Sequence, residues 1–304
     1  VDPVKGVFES PIKVHLDFKK GSKDACPYFV GRTIRGVKNT ESPKWLKKKL
    51  MAVGLHPISA LVDITNLMTM DFGRPLHVFD ATKVDGDIHV RLSKKGEKLL
   101  ALDGKEYELD ADVTVIAGDK KAEALGGVIG GEASGCTEKT TDVFVESAYF
   151  DPVRTAMTGR KLGILSDACY RFERGVDPAF LVDGMEIATR LILDLCGGEA
   201  SELVIAGKEP TWQQEITLRP ERIESFGGVK VPEKDIVKIL SALGFEAKEK
   251  TKKKDEALSV SVPSWRSDIV GESSLVEEVV RIFGYDNIPA QLMDGGGLPH
   301  PALN

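Results

Sequence analysis

The period of the hydrophobic positions changes along the chain, and each change predicts an element. Helices are bracketed by one device, proline at the first helical position and glycine just past the end. SPKWLKKKLMAVG has Ser42 as cap, Pro43 inside and Gly54 as stop; DPVRTAMTGRKLG repeats this with Asp151, Pro152 and Gly163. DPAFLVDGMEIATRLILDLCGG uses Asp177, Pro178 and Gly197, and its apolar spacing predicts a long buried helix. RPERIESFGG and VPEKDIVKILSALGF carry Pro220/Gly227 and Pro232/Gly244 without a good capping side chain. A last helix is expected to start at SLVEE, where Ser274 and Glu277 form a capping box.

Strands are expected where apolar residues alternate or β-branched residues run together: KVHLDF, YFVGRTIRGV, DIHVRL, VTVIAG, DVFVESAYF, ELVIAG, EITLRP and LSVSVPSW. Strands and turns dominate residues 85–150, and LVDITNLMTM (61–70) is ambiguous by period. After GKEPTWQQ (207–214) the style changes to two short helices, a Lys-rich hairpin and a final helix. The expected fold class is therefore α+β: a mixed α/β domain with a strand-rich middle over residues 1–208, then a small winged-helix-like domain over 209–292, of the type DNA-binding proteins use. Residues 293–304 read as a tail.

Composition narrows the function classes. A net charge of −6 argues against a general nucleic-acid binder, although KEKTKKK (248–254) makes a local basic run, read as a solvated hairpin tip. No apolar run approaches the ~20 residues of a membrane span, and no signal segment opens the chain. The beginning VDPVKG and the end PHPALN both read as cuts through a longer protein. Cys26, Cys136, Cys169 and Cys196 are far apart, form no CxxC pattern, and are expected to be reduced thiols rather than zinc ligands.

Three stretches carry candidate chemistry. RPLHVFD encloses His77, with Pro75 two residues before it, in an apolar setting; a lone histidine there reads as a satisfied core residue. ALGGVIGGE (124–132) has four glycines, 126, 127, 130 and 131, that permit close backbone approach. It lacks the spacing and following helix of a phosphate loop. GILSDACYRFERGVDP (163–178) packs six polar or charged side chains, from Ser166 to Asp177, into a turn-rich stretch that reads as a structural network.

GLHPISALVDITNLMTMDFGRPLHVFD, ALGGVIGGEASG, SDACYRFERGVDP and VPSWRSDI…LVEEVVRIFGYDNIP together resemble the family of bacterial phenylalanyl-tRNA synthetase β subunits. The four motifs fall in the family's order and spacing, from about residue 25 to residue 290. The resemblance implies that the first domain is an editing domain that hydrolyses Tyr-tRNA(Phe). The complete cytoplasmic α₂β₂ enzyme would attach phenylalanine to tRNA(Phe) using ATP and Mg²⁺. It implies as partners the α subunit, tRNA(Phe) and a second β subunit, with no membrane.

Editing has a physical rationale. An apolar synthetic pocket rejects an added hydroxyl by only roughly 10². A second pocket with a buried carboxylate can demand that hydroxyl, because phenylalanine would leave the carboxylate unpaired, at about 1–3 kcal/mol. Carried over by motif, Glu146 in DVFVESAYF resembles the hydroxyl reader and Ala168 the residue that sets pocket depth. Gly127 and Gly130 resemble lining glycines, Pro75 a substrate neighbour, and Ser166 stands where the family often has threonine. His77 matches the editing histidine near the ester and terminal ribose, and hydrolysis by positioned water is expected rather than an acyl-enzyme. Taken alone, Glu146 reads as a solvent-facing strand residue.

Two departures stand out. His56 replaces a common arginine, with a weaker or pH-dependent contact to the terminal adenosine as a consequence. In the second domain the resemblance implies acidic Mg²⁺ ligands shared with the α subunit; Asp268, Glu277 and Glu278 match, and Ser274 stands where aspartate is usual. For Glu277 the alternative is a capping acid near the helix dipole. The rival functions are a non-catalytic scaffold bracing tRNA and the α subunit, and an autonomous DNA-binding protein, which the net charge disfavours.

Overall fold

The computed structural model describes residues 1–249 and 257–290. Most of the Lys-rich hairpin tip and the tail 293–304 lie outside the described residues. The chain divides into two compact units that meet between Trp212 and Gln213.

The first unit opens with β1 (Val14–Asp17) and β2 (Tyr28–Arg35), followed by α1 (Lys44–Ala52) and α2 (Ala60–Asp71). Strands then dominate: β3 (His77–Asp80), β4 (Ile88–Leu92), β5 (Glu97–Leu100), β6 (Glu106–Leu109), β7 (Thr114–Ala117), β8 (Ala122–Leu125), β9 (Ile129–Gly130) and β10 (Asp142–Tyr149). Helices α3 (Pro152–Leu162), α4 (Asp167–Phe172) and α5 (Leu181–Cys196) precede β11 (Glu199–Ala200) and β12 (Val204–Gly207). One sheet has the order β11-β2-β10-β3, with β12 also on β2; the other runs β1-β4-β7-β8-β9, and β5 and β6 form a separate hairpin.

Strands β2 and β10 are buried almost throughout, as strands covered on both faces must be. The period of two then assigns each side chain to a layer. Val143 and Val145 of β10 join Val30, Ile34 and Val78 in a core with Leu61, Ile64, Met185 and Ile192 of α2 and α5. Phe144 and Ala148 point the other way, with Phe29 and Phe79, onto Val90, Ile116, Ala124 and Phe172. The first sheet therefore lies between a helical layer and the second sheet. Glu146, in phase with Phe144 and Ala148, faces that second layer.

On the helical side, Arg32 of β2 is 1% exposed and fully partnered. Its Nη1 donates to Glu186 Oε2 at 2.8 Å, its Nε to Ser201 C=O at 2.7 Å and its Nη2 to Val4 C=O at 2.6 Å. This buried pair ties β2 to α5 and to the N-terminal segment.

The second unit runs β13 (Gln214–Leu218), α6 (Glu221–Gly227), α7 (Glu233–Ala242), β14 (Glu246–Glu249), β15 (Leu258–Val262) and α8 (Glu272–Phe283). Its antiparallel sheet has the order β13-β15-β14, packed on the helices through Leu218, Ile236, Leu240, Val260, Leu275 and Val279. Three helices and a hairpin in this order make the winged-helix-like α+β module expected from the pattern.

Several local expectations change. Ser42 is no cap: α1 starts after Pro43, and Ser42 Oγ donates to buried Asp63 at 2.6 Å. The capping box also fails, because α8 begins at Glu272 after Gly271 and places Ser274 and Glu277 inside the helix. Gly228, not Gly227, closes α6 in the left-handed region. Asp177 does cap, but a 3-10 turn at Pro178–Phe180 that leads into α5. LVDITNLMTM becomes helix α2, apolar on most sides because α1, α5 and the sheet surround it. Asp151 and Gly163 bracket α3 as expected.

Candidate editing site

His77 and Glu146 enter the site by strand register. β3 and β10 are antiparallel and pair Glu146 directly with His77. On its other side Glu146 faces Gly31 of β2, which brings no side chain. A methyl built on Gly31 would lie 2.3 Å from Phe144 Cζ, so the glycine keeps this part of the interior open.

A cavity of about 60 Å³ lies against these residues. Pro75, His77, Gly127, Gly130, Glu146 and Ala168 all line it, so one place gathers six positions scattered over the sequence. The glycines are required by contact. A methyl on Gly130 would lie 2.3 Å from His77 Cε1, and one on Gly127 would press on Phe150 and Phe172 from a backbone at φ 71°. Leu125, Val128 and Phe172 make the remaining wall largely apolar.

Two expected residues lie elsewhere. Ser166 caps α4 by accepting from Cys169 N–H at 3.0 Å and donates to Val128 C=O at 2.5 Å. It therefore braces the wall, joining the glycine segment to the helix that carries Ala168, and does not line the cavity. His56 is exposed before α2 and also does not line it.

Electrostatics single out the acid and the base. Glu146 is 5% exposed, not solvent-facing, and its Oε2 has no hydrogen-bond partner. Burial pushes its pKa up to about 8, with the Arg74 guanidinium opposing. His77 Nε2 is likewise buried without a partner, and burial lowers the imidazole to about 4. The ring stands edge-on to Phe79 at 4.4 Å. At neutral pH the pair is thus a protonated carboxyl beside a neutral imidazole, each with spare hydrogen-bonding capacity. All four cysteines are free, and burial raises each thiol, Cys136 to about 12 and Cys196 to about 11. None is a ready thiolate nucleophile.

In the second unit Asp268 and Glu278 converge on an arginine, and Glu277 stands apart. Asp268 takes a bidentate pair from Arg266, Nε to Oδ1 at 2.8 Å and Nη2 to Oδ2 at 2.7 Å, while Arg266 Nη1 reaches Glu278 at 3.0 Å. Arg281 also donates to Glu278, at 2.7 Å, and Glu277 is exposed. Both carboxyls lie below their usual range because Arg266 bonds to them. A guanidinium occupies the place a cation would need, and among the described residues no three acidic, histidine or cysteine side chains are arranged for a metal. With both carboxylates paired to arginine, this donor set does not by itself fit Mg²⁺.

Residues 25–197 match the family model of the B3/4 domain, which covers more than half of the chain. The chain belongs to the B3/4 domain family. Behind the B3/4 region, residues 216–285 match the tRNA synthetase B5 domain. The phenylalanine–tRNA ligase β subunit of Paramagnetospirillum magneticum is 59% identical over 303 residues, which is 100% of this chain and 38% of that protein. Those of Rhodospirillum rubrum and Mesorhizobium japonicum are 52% and 50% identical, over 99% and 100% of this chain. The chain thus spans little more than a third of the length of these relatives. An N-terminal fragment of the phenylalanyl-tRNA synthetase β subunit from Pyrococcus horikoshii aligns over 93% of the chain and 78% of its own, at 16% identity and a TM-score of 0.42, too distant to carry an argument.

Sequence reasoning passed over Arg74, although it stands in the quoted RPLHVFD. It is 1% exposed and adjoins the site through Phe172, whose ring centroid lies 5.8 Å from its guanidinium carbon. Only the packing of α4 and α5 around it makes this arginine unusual. Among the described residues, no helix is long and apolar enough to cross a membrane.

Proposed function

We propose that the B3/4 unit hydrolyses the ester of Tyr-tRNA(Phe), as the editing part of a phenylalanine–tRNA ligase β subunit. The observation that carries this reading is the pairing of Glu146 with His77 inside one apolar cavity, each with a buried polar atom lacking a partner. Polar atoms in such a place are costly unless a ligand completes them. The tyrosine ring would pack against Phe172, Val128 and Leu125, and its hydroxyl would donate to the Glu146 carboxyl. Phenylalanine leaves that partner missing, which is the stronger form of discrimination.

The chemistry needs no covalent intermediate. Water adds to the ester carbonyl carbon, the bond to the terminal ribose oxygen breaks, and the water's proton passes to that oxygen, releasing tyrosine and tRNA. Neutral His77 accepts a hydrogen bond from the water or from the adjacent ribose hydroxyl and orients the attack. The intact enzyme would pair this β subunit with an α subunit, bind tRNA(Phe) and use ATP with Mg²⁺ for charging in the cytoplasm, as two β and two α chains. The test is deacylation of Tyr-tRNA(Phe) and Phe-tRNA(Phe) by the full-length αβ enzyme carrying this sequence. Faster loss of the tyrosyl ester supports the reading, and failure to hydrolyse either ester would leave a bracing role for tRNA and the α subunit.

A further inference from the structure

Arg74 and Arg32 are both 1% exposed, yet they are held in opposite ways. Every guanidinium nitrogen of Arg32 has a protein partner. Arg74 has one, Nη1 to Ala148 C=O at 3.2 Å, and its Nε and Nη2 have none. Ala148 lies two residues beyond Glu146 on the same face of β10. The stem of Arg74 is fixed against α5, where a methyl on Gly184 would lie 2.9 Å from its Cγ. Its guanidinium lies over the ring of Phe172, a wall of the cavity, 5.8 Å from the centroid. A buried donor without a partner is costly, and two on one fixed side chain are not explained by the fold alone.

We propose that Arg74 is a positioning residue of this site, a buried cation at the cavity wall that favours the ionised form of the Glu146 carboxyl once the tyrosine ring is bound. This rests on the editing reading above. When the ring enters, Glu146 releases its proton to bulk water. One carboxylate oxygen then accepts the phenol, and Arg74 supplies the counter-charge through the low-dielectric interior. The titratable groups that bear on Glu146 are His77 on β3, Arg74 before it and the thiol of Cys26; those that bear on Arg74 are Asp177, Glu146 and Tyr149. Arg74 is the influence that opposes the burial of Glu146, and burial lowers Arg74 itself only to about 10, so it remains a cation at neutral pH.

The experiment is the ratio of Tyr-tRNA(Phe) to Phe-tRNA(Phe) deacylation by the full-length αβ enzyme, from about pH 6 to about pH 9, corrected for spontaneous hydrolysis. In the unsubstituted enzyme the ratio should rise with pH as Glu146 ionises. Arg74→Met should move that rise upward by about one pH unit, and Arg74→Lys, which keeps the charge, should move it less. In a Glu146→Gln background Arg74→Met should leave the ratio unchanged. An unmoved midpoint in Arg74→Met with an unaltered melt overturns the proposal, as does an equal loss on both esters. If Arg74→Met does not fold, Arg74→Gln, which also removes the charge, decides: an upward shift supports the role and no shift overturns it. An unsubstituted enzyme inert on both esters removes the editing reading and this proposal together, whereas an active enzyme with unmoved variants removes only the role of Arg74.

Discussion

His77 and Glu146 stand directly opposite each other on antiparallel β3 and β10, and both face the same cavity. Opposed residues in such a pair have Cβ atoms about 5 Å apart, so the base and the acid act on neighbouring atoms of any ligand. A functional division between them is therefore a matter of single ångströms and has to be read from substrate chemistry.

Paired deacylation separates the two. If Glu146 accepts the tyrosine hydroxyl as proposed, Glu146→Ala loses a hydrogen bond to an ionised group, about 1.5–3 kcal/mol, and should cut Tyr-tRNA(Phe) hydrolysis by roughly 10 to 150-fold. Hydrolysis of Phe-tRNA(Phe) should not fall in step. His77→Ala should slow both esters, because in the proposed mechanism it orients the attack rather than reads the ring. Loss confined to the tyrosyl ester in His77→Ala would place the imidazole at the hydroxyl beside Glu146. Thermal melts of both variants control for unfolding.

Ala168 offers a steric test. It enters the cavity from α4 with no bulk beyond one methyl, and Ser166 fixes that helix to the Val128 carbonyl. On the proposed reading, Ala168→Trp should fill the ring's space and abolish Tyr-tRNA(Phe) hydrolysis, with no loss of phenylalanine charging by the full-length αβ enzyme. Undiminished Tyr-tRNA(Phe) hydrolysis in that variant would remove Ala168 from the site.

Stability should depend on pH through Glu146. Its folded pKa of about 8 lies above the ordinary 4.5, so the folded state holds the proton more tightly. That contribution is complete below about pH 4.5 and is lost as pH rises through about 8. Glu146→Gln cannot ionise and escapes the loss. The melting temperature of Glu146→Gln minus that of the parent should therefore grow from about pH 5 to about pH 8.5. His77 has the opposite sign: its contribution, present above about 6.5, is lost as pH falls through about 4. A difference that stays flat across the range would mean that Glu146 is already ionised in the folded protein.

The Arg32–Glu186 pair predicts a purely structural effect. Arg32→Met would leave the Glu186 carboxylate, which is nearly as buried as its partner, without a counter-charge and with only the Val4 N–H at 2.7 Å. Breaking such a pair costs about 3–5 kcal/mol, whereas replacing both members by apolar groups costs far less. Urea unfolding should report a large loss for Arg32→Met and substantial recovery for Arg32→Met with Glu186→Leu. Equal losses in the single and double variants would show that the pair is not the source of the stability.

The chain's sequence by itself determined most of the elements, because proline, glycine and capping acids act within a few residues: Asp151 and Gly163 bracket α3 as read. The change of style near residue 208 lies close to where the two units meet at Trp212 and Gln213. Six residues singled out through resemblance rather than spacing line one cavity. Pro75, His77, Gly127, Gly130, Glu146 and Ala168 come together only when β3, β8, β9, β10 and α4 are packed, since residues up to 93 positions apart in sequence share one wall. Tertiary packing also decided partners that neither local rules nor the resemblance gave. Ser42 turns from cap to partner of Asp63, Ser166 braces the wall that it was expected to line, and Asp268 and Glu278 meet on Arg266. The physical reason is one of range. Caps and periods are settled by neighbours along the chain, whereas burial, which gives Glu146, His77 and Arg74 their properties, depends on which distant surfaces exclude water from them.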